Sequence, residues 1–273
     1  RVARMSGKRR DETSSFVEEE RACNGACRIK PARPSFMRRS SPDLFPAESY
    51  TAVMCGRYLM TSPSAAVKAC FGLSSEPKLT PVYNAAPTRL LPVVREGVDG
   101  RDCDQLRWGL VPAWARDLSI GNRMINARSE TAADKPSFRE SMRTRRCLVI
   151  ADGFYEWKRE ADHKRPHCLR MKDGQPFGMA GLWDRWTSPE GESVESFTIL
   201  TTSPNALVEE VHDRMPVIID RAQYERWLAL DLTDPGQISC LLEPYPDELM
   251  ESYEVSSHVN SPRHDDPACM EPI

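Results

Sequence analysis

The sequence predicts an α+β fold: a single domain over residues 54–273 built on a curled, barrel-like, mainly antiparallel sheet flanked by short helices. Short runs rich in β-branched and aromatic residues recur along the chain, bounded by Gly, Pro and Asp, which is the pattern of many short strands. Brief helical patterns separate some of these runs, but without the strict alternation that a doubly wound sheet requires. Neither G-x-G-x-x-G nor G-x-x-x-x-G-K-[ST] occurs, so nucleotide-cofactor chemistry has no support and no cofactor is expected.

Taken in order, strands are expected at CGRYLM (55–60), RLLPVVRE (89–96), DQLRWGL (104–110), CLVIADGFYEWK (147–158), HCLRMK (167–172), FGMAGLWDRW (177–186), SFTILTT (196–202) and MPVIID (215–220). Helices fit SPSAAVKACFG (62–72), with Ser62 as N-cap and Pro63 at the first position, then PSFRESMRTR (136–145), PNALVEEVH (204–212) and RAQYERWLAL (221–230). Residues 1–53 are rich in Arg, Glu, Ser and Pro without a sustained apolar period, so they cannot bury enough surface to offset ordering entropy, and disorder is expected there.

The 273 residues suit one large domain, and 40% apolar with 28% charged residues is close to globular averages. No stretch approaches the roughly 20 apolar residues of a membrane helix, so a soluble protein without a membrane partner is expected. A net charge of −3 gives no overall attraction for nucleic acid; any DNA groove must come from locally clustered Arg and Lys. The nine cysteines show no C-x-x-C pair, and the closest two, Cys23 and Cys27, lack partner ligands. This pattern argues for reduced thiols in a cytosolic compartment, with neither a disulfide framework nor a metal site. An apolar secretory core is also missing from the N-terminus.

MCGRY, INARSET, DGFYEWK and HDRMP each set a reactive or polar side chain among Gly, Pro and aromatic residues. Cys55 opens the first apolar run of the ordered region, yet a lone Cys is more often a small buried hydrophobe than a nucleophile. Asn126 and Arg128 alternate on a strand-like segment and would face the same side, unless Asn126 merely satisfies a turn. Glu156 lies in an apolar FYEW run, where burial would raise its pKa; an outward-facing strand Glu fits equally well. His212 ends a helical pattern and could be no more than a C-terminal histidine interacting with the helix dipole. Trp108 and Trp114 read as core packing before base contact, and Arg139, Arg143, Arg145 and Arg146 as a solvated helix face.

In chain order, MCGR, YNAAPT, RWGLVPAW, INARSET, DGFYEW and HDRMPV closely resemble the SOS response associated peptidase (SRAP) family over residues 54–273. The ending VNSPRHDDPACMEP is similar to that family's C-terminal strand and tail. The resemblance implies covalent capture of abasic sites in single-stranded DNA. It assigns catalysis to Cys55, Asn126, Glu156 and His212, and phosphate contacts to Arg57, Arg128 and Arg214. Trp157 would pack beside the lesion, Thr201 would add a polar contact, and Asn84 and Pro87 would shape the pocket wall. A monomer is expected, nucleoid-associated in a bacterial cytoplasm or nuclear in a eukaryote.

One departure concerns position: family members begin at Met-Cys and lose the Met, whereas Cys55 here follows other residues and, while internal, has no free α-amine. Met5, Met37 and Met54 are all candidate starts, so either a start at Met54 or removal of the prefix is expected. Two other functions stay open at this point. One is a thiol peptidase, or a protease acting on its own leader, that uses Cys55, His212 and Glu156; the other is a non-catalytic reader of modified or single-stranded DNA.

Overall fold

The computed structural model describes residues 56–273; Cys55 and the 1–53 segment expected to be disordered lie outside the described residues. The chain runs β1 (Arg57–Met60), α1 (Ser64–Phe71), β2 (Val82–Ala85), β3 (Leu90–Gly97), β4 (Gly100–Trp108), β5 (Asn126–Arg128), α2 (Ser129–Ala132), α3 (Arg139–Thr144), β6 (Arg146–Ala151) and β7 (Gly153–Arg159). It continues through β8 (Lys164–Met171), β9 (Phe177–Thr187), β10 (Ser193–Thr202), α4 (Ala206–Glu209), β11 (Met215–Pro216), β12 (Ile218–Ile219), α5 (Tyr224–Leu228), α6 (Pro235–Ser239) and β13 (Met250–Glu254).

Strands β10, β4, β3, β6 and β9 pair in that order, and β9 pairs back to β10, so the sheet closes into a barrel. The seam between β10 and β4 is parallel, with Phe197 opposite Trp108, as is the short pairing of β5 with β10; the remaining ladders are antiparallel. The expected α+β architecture with a curled, mainly antiparallel sheet is therefore observed. A second, fully antiparallel sheet runs β13-β8-β7-β1-β2.

Burial explains which segments became which strands. Every residue of β6 is buried, because its barrel face meets the main core and α5 covers its outside, where Trp227 Nε1 donates to the Cys147 carbonyl at 2.8 Å. A strand covered on both faces reads as the unbroken apolar run CLVIA. The expected single strand over 147–158 is instead two, because Asp152 leaves the ladder. Its carboxylate accepts from the Thr61 N–H, from the Ser62 N–H at 2.7 Å and from the Ser62 hydroxyl at 2.5 Å. That contact also corrects the α1 cap: Ser62 is occupied by Asp152, Pro63 stands at the N-cap, and Gly72 ends the helix in the left-handed region.

Trp108 is the hub of the barrel, fully buried, stacked on Phe197 at 6.3 Å and donating from Nε1 to the Ile125 carbonyl at 2.9 Å. The glycine after it has φ 117°, and a Cβ there would lie 2.6 Å from the Gly121 carbonyl oxygen, so the WG pair is dictated by backbone approach. Trp108 thus has the core role expected of it, whereas Trp114 does not: it is 60% exposed. Arg146 also departs from expectation. It is 3% exposed, and its guanidinium donates to the carbonyls of Trp227 at 2.6 Å, Met142 at 2.8 Å, Arg143 at 3.0 Å and Ala229. Arg139 and Arg143 are exposed as expected, while Arg145 pairs with Asp184 at 3.3 Å.

The last named strand is β13; the VNSPRHDDPACMEP stretch after it holds the end of a 3-10 turn over Ser257–Asn260, a second over Pro267–Cys269 and an isolated antiparallel bridge from Pro272 to Val255. Among the described residues no helix is long and apolar enough to cross a membrane. Truncating Trp108 to Ala removes the hub and leaves a cavity the closed barrel cannot collapse, so the expected loss is about 3–5 kcal/mol of unfolding free energy, read by denaturant titration.

Candidate functional site

β7 supplies the site because its two faces meet different layers. Side chains alternate across a strand. Phe154 joins the main core while Tyr155 joins the smaller cluster of Leu59, Cys168, Val255, Val259 and Cys269. Glu156 therefore shares the face of Phe154 and is 2% exposed, while Trp157 shares the face of Tyr155 and is half-buried. Glu156 is buried, and the outward-facing alternative is ruled out.

His212 reaches Glu156 from the other sheet system. Asn205 caps α4, accepting from the Val208 N–H at 2.9 Å, and the His212 N–H returns to the Val208 carbonyl at 2.8 Å, so the ring leaves from the helix end. Nε2 of His212 lies 4.0 Å from Glu156 Oε2. That gap is too long for a hydrogen bond, and an oxygen placed beside both groups could reach each. His212 Nδ1 meets the Arg214 backbone twice, at 3.2 Å from its nitrogen and 3.3 Å from its carbonyl oxygen, so that backbone can hold the ring in either tautomer with Nε2 facing the carboxylate.

A groove of about 510 Å³ opens at His212. Trp157, Lys158 and Arg159 line it from β7, and Glu209, Glu210, His212 and Asp213 line it from the end of α4. Lys158 closes the DGFYEWK segment without standing out in it, and nothing in the sequence marked Arg159, Glu209 or Glu210, which stand on two separate elements. Their contribution is electrostatic, one wall of the groove being basic and the other acidic.

The expected phosphate-contacting arginines occupy unlike settings. Arg128 is exposed, opposite Thr201 in the β5–β10 pairing. Thr201 is fully buried, and its carbonyl accepts from Arg214 at 2.6 Å. Arg214 also forks onto Glu130 of α2, at 2.5 and 2.8 Å. Hydrogen bonding from Arg214 holds the Glu130 carboxyl below its ordinary range. Arg57 donates to Asn84 Oδ1 at 2.9 Å and to the carbonyls of Val259 at 2.9 Å and Asn260 at 3.2 Å. Burial lowers its pKa.

Asn84 sits fully buried behind this, its amide donating to the Val259, Ser261 and His264 carbonyls at 3.1, 3.0 and 2.8 Å. Pro87 is half-buried two residues past the end of β2. The C-terminal turns in turn reach Trp157, whose Nε1 donates to Asn260 Oδ1 at 2.7 Å. Asn126 lies in β5 opposite Ile199, two residues before Arg128 and on the same side. The structure thus joins Glu156 to His212, Thr201 to Arg214, and Arg57 to Trp157 through Asn260. Cys55 lies outside the described residues.

Ligand atoms of His258, Asp266 and Cys269 lie within 4.8 Å of one another, the one such grouping among the described residues. His258 Nε2 and Asp266 Oδ2 already form a 3.0 Å pair, and the nearby Arg57 charge bears on Cys269, which opposes a cation there.

A closed mixed barrel with a buried carboxylate facing an imidazole at the end of a groove, beside arginines carried on short strands and turns, defines a distinct class of α+β domain. The family model for SOS response associated peptidase (SRAP) matches residues 54–262, and the chain belongs to that family. Among similar proteins is the abasic site processing protein YoqW of Bacillus subtilis, 43% identical over 223 residues, covering 80% of this chain and 99% of the relative. The abasic site processing protein HMCES of Xenopus tropicalis is 30% identical over 265 residues, covering 81% of this chain and 78% of the relative. A crystal structure of a protein from Bacteroides thetaiotaomicron superimposes with a TM-score of 0.73 at 30% identity, covering 80% of this chain and all of that one.

Asp265 ties the C-terminal turns to β2. Burial pushes its carboxyl up, but the Arg89 guanidinium at 2.7 Å and the Tyr83 and Asn84 N–H groups at 2.6 and 3.0 Å together outweigh that and hold it below the ordinary value. A depressed folded-state pKa means this stabilisation is present above the unfolded value of 3.8 and is lost as pH falls through the lower folded one. Asp265→Asn should therefore lower the melting temperature at neutral pH and flatten its acid decline, measured by thermal unfolding from about pH 6 to pH 2.

Proposed function

We propose that this protein captures abasic sites in single-stranded DNA covalently, through Cys55 as the first residue of a chain from which everything up to Met54 has been removed. The observation that carries the reading is the buried Glu156 facing His212 at 4.0 Å, with His212 and Trp157 lining the adjoining groove. The names of the relatives point the same way. β1 adds support: its first residue, Arg57, pairs with Tyr155, the neighbour of Glu156, so the chain enters the sheet beside the buried carboxylate.

An abasic deoxyribose opens to an aldehyde. The α-amine of Cys55, with an ordinary pKa of about 7.7–8.0, adds its lone pair to the aldehyde carbon, and the carbinolamine loses water to give an imine. The thiol sulfur then bonds to that carbon, the C=N electron pair moves to nitrogen, and the thiol proton follows it, closing a thiazolidine. One water is lost overall and no redox partner is needed. Only an N-terminal cysteine carries amine and thiol on adjacent carbons, and holding both against the sugar can lower the barrier by roughly 7–11 kcal/mol.

In this reading His212 moves the proton that opens the sugar ring, since imidazole exchanges protons near neutrality. Glu156 handles protons on the amine and the departing water, and Asn126 orients the amine or a sugar oxygen. Arg57, Arg128 and Arg214 approach phosphates and Thr201 adds a polar contact, so binding is independent of base sequence and weakens with salt. Trp157 offers a face beside the unpaired lesion.

Protein beginning at Cys55, mixed with an oligonucleotide carrying one abasic site, should give a denaturation-resistant band of mass protein plus DNA minus one water. Cys55→Ala and acetylation of the α-amine should each abolish it, and His212→Ala should slow its appearance by roughly 10²-fold. Covalent capture that persists with the amine blocked would overturn the thiazolidine. Binding without a covalent band would instead indicate a reader, and turnover of peptides a protease.

A further inference from the structure

The segments that carry Asn126 and His212 are far apart in sequence, and one ion pair spans them. Glu130 lies in the first turn of α2, directly after the β5 strand of Asn126, and Arg214 lies two residues after His212. Their contact is a two-pronged fork, and Arg214 Nη2 also donates to the Thr201 carbonyl at 2.6 Å. Exposed ion pairs contribute little. This one is uneven: the Arg214 side chain is only 13% exposed while Glu130 is 49% exposed, so the buried cation depends on an acceptor at the rim. Removing that acceptor leaves a largely buried guanidinium short of partners.

The pair also bears on the imidazole. The Arg214 backbone meets His212 Nδ1 with its N–H at 3.2 Å and its carbonyl oxygen at 3.3 Å, so it holds the ring in place with Nε2 toward Glu156. Asp213 Oδ1 competes for the same Nδ1 at 3.2 Å from a side chain that is 88% exposed. The anchored guanidinium holds the Arg214 backbone, and with it both of its contacts to Nδ1, in place.

We propose that Glu130 is a positioning residue for the capture reaction: it clamps Arg214, fixes the His212 ring through the Arg214 backbone, and is the counter-anion with which a DNA phosphate must share Arg214. The proposal rests on the function proposed above. It predicts effects of opposite sign on rate and on binding, which a merely structural contact would not produce. Without Glu130 the ring loses its orientation and capture slows, while the freed charge of Arg214 binds phosphate more strongly.

Protein beginning at Cys55 is compared with Glu130→Gln and Glu130→Asp, using an undamaged single strand for affinity and an abasic oligonucleotide at saturation for rate. Glu130→Gln, whose amide oxygen can still accept from Arg214 without its charge, should keep a melting temperature within a few degrees of the parent's, cross-link about tenfold more slowly at saturation, and bind the undamaged strand several-fold more tightly at low salt. Its slope of log affinity against log salt should steepen by about 0.7, the increment for one further cation on a single strand. Glu130→Asp, which keeps the charge, should return the salt slope to the parental value. An unchanged saturated rate, or rate and affinity falling together with the melting temperature, overturns the role of Glu130. A parent that forms no adduct overturns the capture reaction on which it rests.

Discussion

Both faces of β7 are buried, and the pleat of that strand constrains everything near the groove. With Phe154 committed to the barrel-side core and Tyr155 to the smaller cluster, the next residue must return to the barrel side, and a carboxylate stands there at Glu156. Placing a carboxylate in that layer costs stability unless polar neighbours receive it. His212 approaches from the end of α4 to meet it. A shift of register by one residue in β7 would exchange Glu156 with Trp157 and dismantle both faces together. The antiparallel ladders to β1 and β8, with Arg57 opposite Tyr155 and Glu156 opposite His167, fix that register from both sides.

Arginine is used here in two ways that its abundance conceals. Arg146 and Arg57 spend their donors on backbone carbonyls, tying α3 and α5 to the barrel and the C-terminal turns to β1. Arg128 stays exposed beside Thr201, and Arg159 joins Lys158 on the groove wall. A protein with net charge −3 can thus present a basic strip on one wall of the groove, with Glu209, Glu210 and Asp213 on the facing wall and Glu130 engaged by an arginine. Potential at a groove depends on local arrangement more than on the total.

The C-terminal turns belong to the same construction. Asn84 holds them through three carbonyls and Asp265 returns the tie to the β2 backbone, while Asn260 supports the Trp157 ring edge. The YNAAP segment therefore acts as a bracket for the last stretch of chain, with its Asn facing inward. Few regular hydrogen-bond ladders reach this stretch, so side-chain to backbone contacts replace them.

Runs rich in β-branched and aromatic residues by themselves marked β3, β8, β9, β10 and the second half of β4, and the continuous run CLVIA marked β6, because burial of one or two faces leaves a direct record in residue type. The motifs likewise singled out Asn126, Glu156, His212 and three arginines, of which Arg128 alone is exposed. Short strands whose residues are polar or interrupted left no such record: VYNA in β2 and MESYE in β13 hold their place through partners remote in the chain. Tertiary structure alone decided that Arg146 is buried and Trp114 exposed, that Arg57 grips the C-terminal turns, and that Glu130 meets Arg214. The physical reason is common to all four. Periodicity reports which face of a local element is covered, whereas these outcomes depend on which carbonyl or charge the closed barrel brings alongside, and that pairing is set by topology.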